Sequence, residues 1–148
     1  MKKILVSITI LLFTSCLPVF DTIPMMLIVN RTEDTILVGH SYYNNIDSID
    51  RFIESLELDT TEVLFRLKGN IVIKTSNKIA PDSFGITDAR VYSGQDHKIY
   101  FFILRYKVAK NHSWSEIRKS HLYDTLLVTQ EMLENGNRIE YNGLRDHF

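Results

Sequence analysis

Five histidines are the residues of this chain best suited to metal binding or to acid–base chemistry near neutral pH. They are His40, His97, His112, His121 and His147. No two have the i, i+4 spacing of a zinc-binding helix, and none lies in a cluster with cysteine. His112 and His121 flank a predicted helix with Asp124 close behind, which would allow a metal or acid–base site. Surface histidines around that helix are the favoured interpretation, so the sequence predicts no metal site.

Motifs of the common catalytic folds are missing from the sequence. It has no Gly-x-Ser-x-Gly, no Walker loop and no dinucleotide-binding fingerprint. Two carboxylates held at a fixed separation in a cleft could hydrolyse a glycoside, but spacing along the chain does not reveal such a pair. We therefore predict no catalytic residue and no cofactor. A small hydrolase acting on glycan or peptide is the alternative.

The N-terminal segment has the pattern of an export signal. Lys2 and Lys3 precede an apolar run over residues 4–13, interrupted only by one serine and one threonine. This length matches the apolar core of a signal peptide and is too short for a membrane-spanning helix. Pro18 and Asp21 interrupt the apolar residues that follow, which disfavours a longer span.

Cys16 is the only cysteine of the chain and directly follows Thr14 and Ser15. This order resembles the bacterial lipobox, in which small residues precede a cysteine that is lipidated and becomes the mature N terminus. Phe13 stands where the lipobox usually has leucine. Acylation would also remove a thiol that has no partner for an internal disulfide. The sequence predicts lipid attachment at Cys16; an unmodified cysteine within a simple signal peptide is the alternative.

The sequence Asp-(Ser/Thr)-aliphatic or Asp-Thr-Thr occurs five times in the chain. This pattern resembles the O-glycosylation motif of Bacteroides-type bacteria, where the middle hydroxyl carries the glycan. The candidate acceptors are Thr22, Thr35, Ser48, Thr60 and Thr125. The alternative is turn chemistry, in which the aspartate leaves a turn and the next residues begin a strand. Asn30-Arg31-Thr32 and Asn111-His112-Ser113 match N-glycosylation sequons, but a bacterial lipoprotein is not expected to use them.

Aromatic residues could form a platform for sugar or peptide. The aromatic residues considered for such a platform are Tyr42, Tyr43, Tyr92, Tyr100, Phe101, Phe102, Tyr106, Trp114 and Tyr123. Large aromatic side chains dominate the energetics of protein cores. We therefore expect Phe101, Phe102 and Trp114 to be buried.

The charge balance and length restrict the class of protein. With 17 basic and 18 acidic residues the chain has no basic stripe, so nucleic-acid binding is not expected. The organisation that we predict is a signal peptide over 1–15, a lipidated tether over 16–24, one globular domain over 25–142 and a tail over 143–148. One domain of this size can bury a core without disulfides.

The first half of the domain is predicted to contain a hairpin, a helix and a second hairpin. Apolar runs at 25–29 and 35–38 flank a polar turn, which favours a hairpin. The spacing of Ile46, Ile49, Ile53 and Leu56 predicts a helix with Asn45 as its N-cap. Period-two alternation over 63–75, around Gly69-Asn70, predicts another hairpin, and 76–85 is predicted to be a loop.

The second half is predicted to alternate strands with short helices. Strands are expected at 89–92, 99–108, 126–128 and 138–141. Ser113 and Glu116 form a capping box that begins a helix over 114–120. Thr129 caps a helix over 130–135, which Gly136 ends. The fold class is therefore mainly β, an antiparallel sandwich or partly open barrel with two or three short helices, with α+β as the alternative.

Several segments resemble small lipoproteins and exported proteins of Bacteroides-type gut bacteria. The resemblance rests on residues 28–36, 113–118, 122–124 and 127–129. It implies export and a lipid anchor, favours the glycosylation motif, and implies no activity or site residue. Surface-exported members carry an acidic cluster after the lipidated cysteine, where this chain has Leu17-Pro18-Val19-Phe20. Either face of the outer membrane is therefore compatible with the sequence.

The sequence thus predicts a lipid-anchored, non-catalytic domain of the bacterial cell envelope. Its partners would be the membrane, through the lipid on Cys16, and an envelope protein or glycan. A purely structural or inhibitory lipoprotein is a further possibility, beside the hydrolase named above.

Overall fold

The computed structural model describes residues 25–49, 51–56, 65–66, 72–73, 77–88 and 98–143. In this part of the chain the strands are β1 Met25–Asn30, β2 Ile36–Ser41, β3 Arg51–Phe52, β4 Glu54–Ser55, β5 Phe65–Arg66, β6 Val72–Ile73, β7 Lys78–Ile79, β8 Phe84–Asp88, β9 Lys98–Arg105, β10 Asp124–Thr129 and β11 Arg138–Tyr141. The helices are α1 Tyr106–Asn111, α2 Trp114–Lys119 and α3 Gln130–Glu134, with a 3-10 turn at Ile46–Ser48.

Two sheets organise the described residues. Sheet A has the strand order β11-β1-β8-β4, and only the β1–β11 pair in it is parallel. Sheet B has the order β10-β9-β2-β3, with β7 also paired to β2, and all its pairs are antiparallel. The predicted mainly β, mostly antiparallel and sandwich-like class is confirmed, and these strands do not close into a barrel.

The main core lies between sheets A and B. Alternate residues of each strand point inward, such as Met26 and Ile28 of β1 and Ile36 and Val38 of β2. Phe101 and Ile103 of β9 and Ile139 and Tyr141 of β11 complete this interior from the other strands. Burying these side chains is the main favourable term in folding, worth about 1.5–3 kcal/mol for each large one.

A second apolar cluster covers the other face of sheet B. Trp114 and Ile117 of α2 and Ala109 of α1 pack against Leu37 of β2 and Phe102 and Leu104 of β9. The expectation that Phe101, Phe102 and Trp114 are core residues is confirmed. The described residues therefore form three layers: sheet A, sheet B and a layer of short helices.

The hairpin predicted for 25–38 is wrong. Both strands form, but β1 pairs with β8 and β11 in sheet A, whereas β2 pairs with β3, β7 and β9 in sheet B. Every residue of β2 is buried, because one face meets the main core and the other meets the helical layer. The polar residues after β1 therefore join two sheets and do not close a hairpin.

The helix predicted over Ile46, Ile49, Ile53 and Leu56 is also wrong. Asn45 does act as an N-cap, its side chain accepting a hydrogen bond from Asp47 N, but it caps only the 3-10 turn. Ile46 and Ile49 lie in the helical layer, whereas Ile53 lies in the main core. The spacing of three and four arises because this segment passes from one core to the other.

Local signals in the second half are mostly confirmed. Ser113 and Glu116 form both hydrogen bonds of a capping box, and Thr129 caps α3. The predicted strands at 126–128 and 138–141 form. The strand predicted over 99–108 forms as β9 but ends at Arg105, because α1 begins at Tyr106. The 63–75 hairpin is supported by the β5–β6 pair, and its turn lies outside the described residues. The loop predicted over 76–85 is wrong in part, because it contains β7 and the first two residues of β8; the strand predicted at 89–92 lies outside the described residues.

Candidate functional site

The outer face of sheet A carries a continuous set of apolar side chains. Met26 and Ile28 point into the main core, so Met25, Leu27 and Val29 point to the opposite side of β1. In β8, Gly85 faces the core against Ile53 and Ile79, which places Phe84 and Ile86 on the outer side. Sheet A therefore presents apolar residues on both faces.

Strand register places these outer residues side by side. Val29 pairs with Phe84 and Leu27 with Ile86, while Leu56 follows β4 and its N–H donates to Phe84 O at 3.4 Å. Residues directly opposite in neighbouring strands have Cβ atoms about 5 Å apart. We call this patch, made of Met25, Leu27, Val29, Leu56, Phe84 and Ile86, the sheet A face. Met25, Leu56 and Phe84 are 57%, 47% and 37% exposed, whereas Leu27 and Ile86 are half-buried and Val29 is buried, so the patch is partly open to solvent.

Charged side chains border the sheet A face. Arg138 and Glu140 of β11 lie on one side, paired with Leu27 and Val29, and Glu54 of β4 lies on the other, paired with Ile86. Glu140 Oε1 contacts both Arg138 Nη2 at 2.6 Å and Arg31 Nη2 at 3.3 Å. The hydrogen bond from Arg31, followed by that from Arg138, holds the pKa of Glu140 below its usual value. Exposed charged residues thus border the apolar side chains of the sheet A face on both sides.

The aspartates of the proposed glycosylation motif have structural contacts. Cys16, Thr22 and Thr60 lie outside the described residues, whereas Thr35, Ser48 and Thr125 are half-buried. Each of these three follows an aspartate bound to a distant residue. Asp34 contacts Lys107 Nζ at 2.7 Å, Asp47 contacts Arg118 Nη1 at 3.0 Å, and Asp124 accepts a hydrogen bond from the Tyr141 hydroxyl. Asp34 and Asp124 stand directly before or at the start of a strand, as turn chemistry predicts, whereas Asp47 lies in the 3-10 turn; glycosylation of the three hydroxyls stays a prediction.

Asn30, the first sequon asparagine, is fully buried. Its Nδ2 donates to the carbonyl oxygens of Asp34, Ile79 and Ala80 at 2.8, 3.0 and 3.1 Å. Its Oδ1 accepts from the N–H and hydroxyl of Thr32 at 3.0 and 2.7 Å. The folded protein therefore uses this amide to join β1 to the loop after β7, which leaves no room for a glycan.

The described histidines do not assemble a metal site. No group of three His, Cys, Asp or Glu side chains in the described segments could hold a metal ion. His121 stacks on Tyr123 at 5.9 Å between ring centroids, and Asp124 instead bonds Tyr141. His97 and His147 lie outside the described residues.

His40 is a buried residue that the sequence interpretation did not single out. His40 is 1% exposed, its ring lies edge-to-face with that of Phe101 at 5.9 Å between centroids, and its Nδ1 has no hydrogen-bond partner among the described residues. Burial, followed by the charge of Arg51, lowers the pKa of His40 to about 4. Its place two residues after Val38 in an alternating strand is the signal that would have placed it inside.

Comparisons with known proteins give no further assignment. The chain matches no protein-family model, and neither curated proteins nor solved structures gave a significant match. In the part of the chain that the structure describes, no helix is long and apolar enough to cross a membrane.

Proposed function

We propose that this protein is a lipid-anchored, non-catalytic component of the bacterial cell envelope that binds another envelope protein through its sheet A face. The observation that carries this proposal is the partly exposed apolar patch on the outside of sheet A. Contiguous exposed apolar surface with a polar margin is typical of interaction sites on soluble domains. Protein interfaces share this arrangement of an apolar centre and a charged rim.

The chemistry of the face favours a protein partner over a glycan. Five of its six side chains are aliphatic, counting methionine, and Phe84 is its one aromatic ring. A sugar-binding surface uses aromatic faces together with side chains that hydrogen-bond hydroxyl groups. Aliphatic side chains instead pack well against the apolar side chains of a second protein.

The proposed anchor restricts where the partner lies. The face begins at Met25, and the chain from residue 16 to residue 25 reaches at most about 30 Å when fully extended. If Cys16 is lipidated, the sheet A face stays within this distance of the membrane, so membrane-associated proteins are the partners within its reach. The resemblance to exported lipoproteins and the lipobox pattern support the anchor.

Site-specific photo-crosslinking in the bacterial host tests this proposal. We would introduce p-benzoyl-phenylalanine at Phe84 in the full chain, and at Met132 as the control, an exposed position on α3. We expect a discrete adduct at position 84 that Met25→Glu abolishes, and no such adduct at position 132. Equal adducts at both positions, or an adduct indifferent to Met25→Glu, would refute the docking role.

A glycan is the second candidate, supported by a different observation. Tyr42 and Tyr43 follow β2 in a turn and are 42% and 70% exposed. Two adjacent exposed aromatic rings can stack on sugar rings. Loss of retention on an envelope-glycan column in Tyr43→Ala, with the Phe84 adduct unchanged, would favour this candidate.

A further inference from the structure

His40 lies where sheet B meets a short edge strand. It pairs with Phe101 of β9 on one side and with Arg51 of β3 on the other. Directly opposed residues point to the same side of a sheet, so Phe101 and Arg51 flank the imidazole. Of the titratable groups in the described residues, Arg51 is the one whose charge acts on the ring.

These surroundings favour the neutral form of the His40 imidazole over its protonated form. In a neutral imidazole only one ring nitrogen carries a proton, so Nδ1, which has no partner in the described segments, can stay unprotonated; an imidazolium must satisfy two N–H donors and a positive charge. The described residues around His40 offer an aromatic ring and an arginine, and no carboxylate acts on it. An unpaired buried charge is among the most unfavourable groups in a protein interior.

Strand β3 is the weakly paired strand beside His40, whereas β7, which also has two pairs to β2, pairs at Ile36 and Leu37. Two residue pairs join β3 to β2, compared with six between β2 and β9. Ile53 then donates its N–H to Val38 O at 2.9 Å, and the next residues form β4 in sheet A. Short edge elements with few pairs open locally before the centre of a sheet does.

We propose that His40 is an acid-sensitive latch: protonation of its imidazole releases β3 from sheet B while β2, β9 and β10 stay paired. The released segment continues into β4 and Leu56, which form one margin of the sheet A face. Acidification would therefore loosen the docking surface. This last consequence rests on the proposed function, whereas the latch itself does not.

The magnitude follows from the ring's ionisation. Its pKa is about 4 in the folded protein and 6.5 for the model group. Between pH 7.5 and 4.5 the opening equilibrium of β3 should therefore increase on the order of 50-fold. The neighbouring strands should show no such change, since their pairing does not involve the ring's charge.

Hydrogen exchange measured by mass spectrometry on the full chain tests the latch, after correction for the intrinsic pH dependence of exchange. We expect protection of residues 51–53, which pair with β2, to fall between pH 7.5 and 4.5 and protection of residues 98–105 to be retained. The matched variants are His40→Phe and His40→Gln, which cannot be protonated, with His121→Gln as the control at an exposed histidine. The fall should vanish in either His40 variant and persist in His121→Gln.

Three results would overturn the latch: no fall in the wild type, the same fall in a folded His40 variant, or simultaneous loss of protection in residues 98–105. If both His40 variants fail to fold, NMR titration of the wild-type His40 ring decides, because a value near 6.5 in the folded state contradicts the latch. The Phe84 crosslink measured at the same two pH values separates the claims. A working latch with no crosslink at either pH would refute only the docking role.

Discussion

The side-chain Nδ2 of Asn30 donates a hydrogen bond to the carbonyl oxygen of Ile79 at 3.0 Å, which ties the end of β1 in sheet A to β7 beside sheet B. The same amide satisfies the carbonyls of Asp34 and Ala80. One buried side chain thus organises the crossing from sheet A to sheet B, where the sequence alone suggested a simple hairpin turn.

Asn30→Ala should destabilise the fold by about 2–4 kcal/mol, because it removes the hydrogen bonds of a fully buried amide and leaves a polar cavity in its place. Asn30→Asp should destabilise it at least as much at pH 7, since a carboxylate offers these carbonyls no donor. Urea denaturation followed by circular dichroism measures both. Asn135→Ala removes a comparable but exposed side-chain bond to Glu131 O and should change stability by less than about 1 kcal/mol. Equal losses in all three variants would contradict the role assigned to Asn30.

Tyr141→Phe should lower stability by about 1–2 kcal/mol, because it removes the hydroxyl that donates to the half-buried Asp124 carboxylate. This bond joins β11 of sheet A to β10 of sheet B. Thermal unfolding provides the measurement, with Tyr43→Phe as the matched control at an exposed tyrosine. An unchanged midpoint in Tyr141→Phe would show that the bond contributes nothing to the closure of the two sheets.

Two glycines should respond differently to alanine. At Gly85 a new Cβ would lie 2.7 Å from Ile53 Cγ2 and Ile79 Cδ1 and 3.0 Å from the Glu54 carbonyl oxygen. At Gly39 the three nearest atoms would all belong to the Ile49 side chain, beginning with Cγ2 at 2.8 Å. We expect Gly85→Ala to cost about 3 kcal/mol and Gly39→Ala about 1–2 kcal/mol, since Ile49 can rotate and the backbone cannot. The reverse order in denaturant titrations would contradict this packing.

Stability should fall in acid through His40. The pKa of this ring in the folded protein is about 4, below its ordinary 6.5, so the unfolded chain binds the proton more tightly. The contribution is therefore complete above pH 6.5 and is lost as the pH falls towards 4, by up to about 3 kcal/mol. Unfolding free energies measured from pH 7.5 to 4.5 should show this slope in the wild type and a shallower one in His40→Gln. Parallel curves would exclude His40 as the source.

Cys16→Ser should abolish membrane retention if Cys16 carries the proposed lipid. Cells grown with labelled palmitate should yield labelled wild-type protein in the membrane fraction and unlabelled mutant outside it. The expected loss is complete, because stable attachment depends on the acyl chains. Equal label and equal retention in the mutant would remove the anchor from the proposal.

Local signals in the sequence predicted local structure well. The capping box at Ser113 and the cap at Thr129 depend on residues three positions apart, so a short window contains the whole interaction. The helix predicted over residues 46–56 does not form, because the apolar residues that suggested it lie in two different cores: Ile46 and Ile49 in the second cluster and Ile53 in the main core. The pairing of strands could not be predicted from local sequence either, since β1 pairs with β11, which lies almost at the other end of the domain sequence.

In the candidate site, too, local patterns could be predicted from the sequence and long-range contacts could not. Alternation along β2 could have placed His40 inside, and alternation along β1 could have placed Leu27 outside. Neither pattern reveals that β8 and Leu56 extend the same apolar surface, because that requires the order of strands in sheet A. The motif aspartates were noticed from sequence, but their distant partners Lys107, Arg118 and Tyr141 were not.

The parallel pairing of β1 with β11 also bears on the order in which the chain can fold. Leu27 pairs with Arg138 and Asn30 with Tyr141. One edge of β1, the first described strand, therefore gains its hydrogen-bonding partner only when β11, the last described strand, is present. Contacts this distant in sequence form late, because the chain must first close a long loop. During synthesis, sheet A has no complete edge until residue 141 has left the ribosome. An N-terminal export signal would therefore emerge well before the domain behind it could lock into a shape that resists translocation.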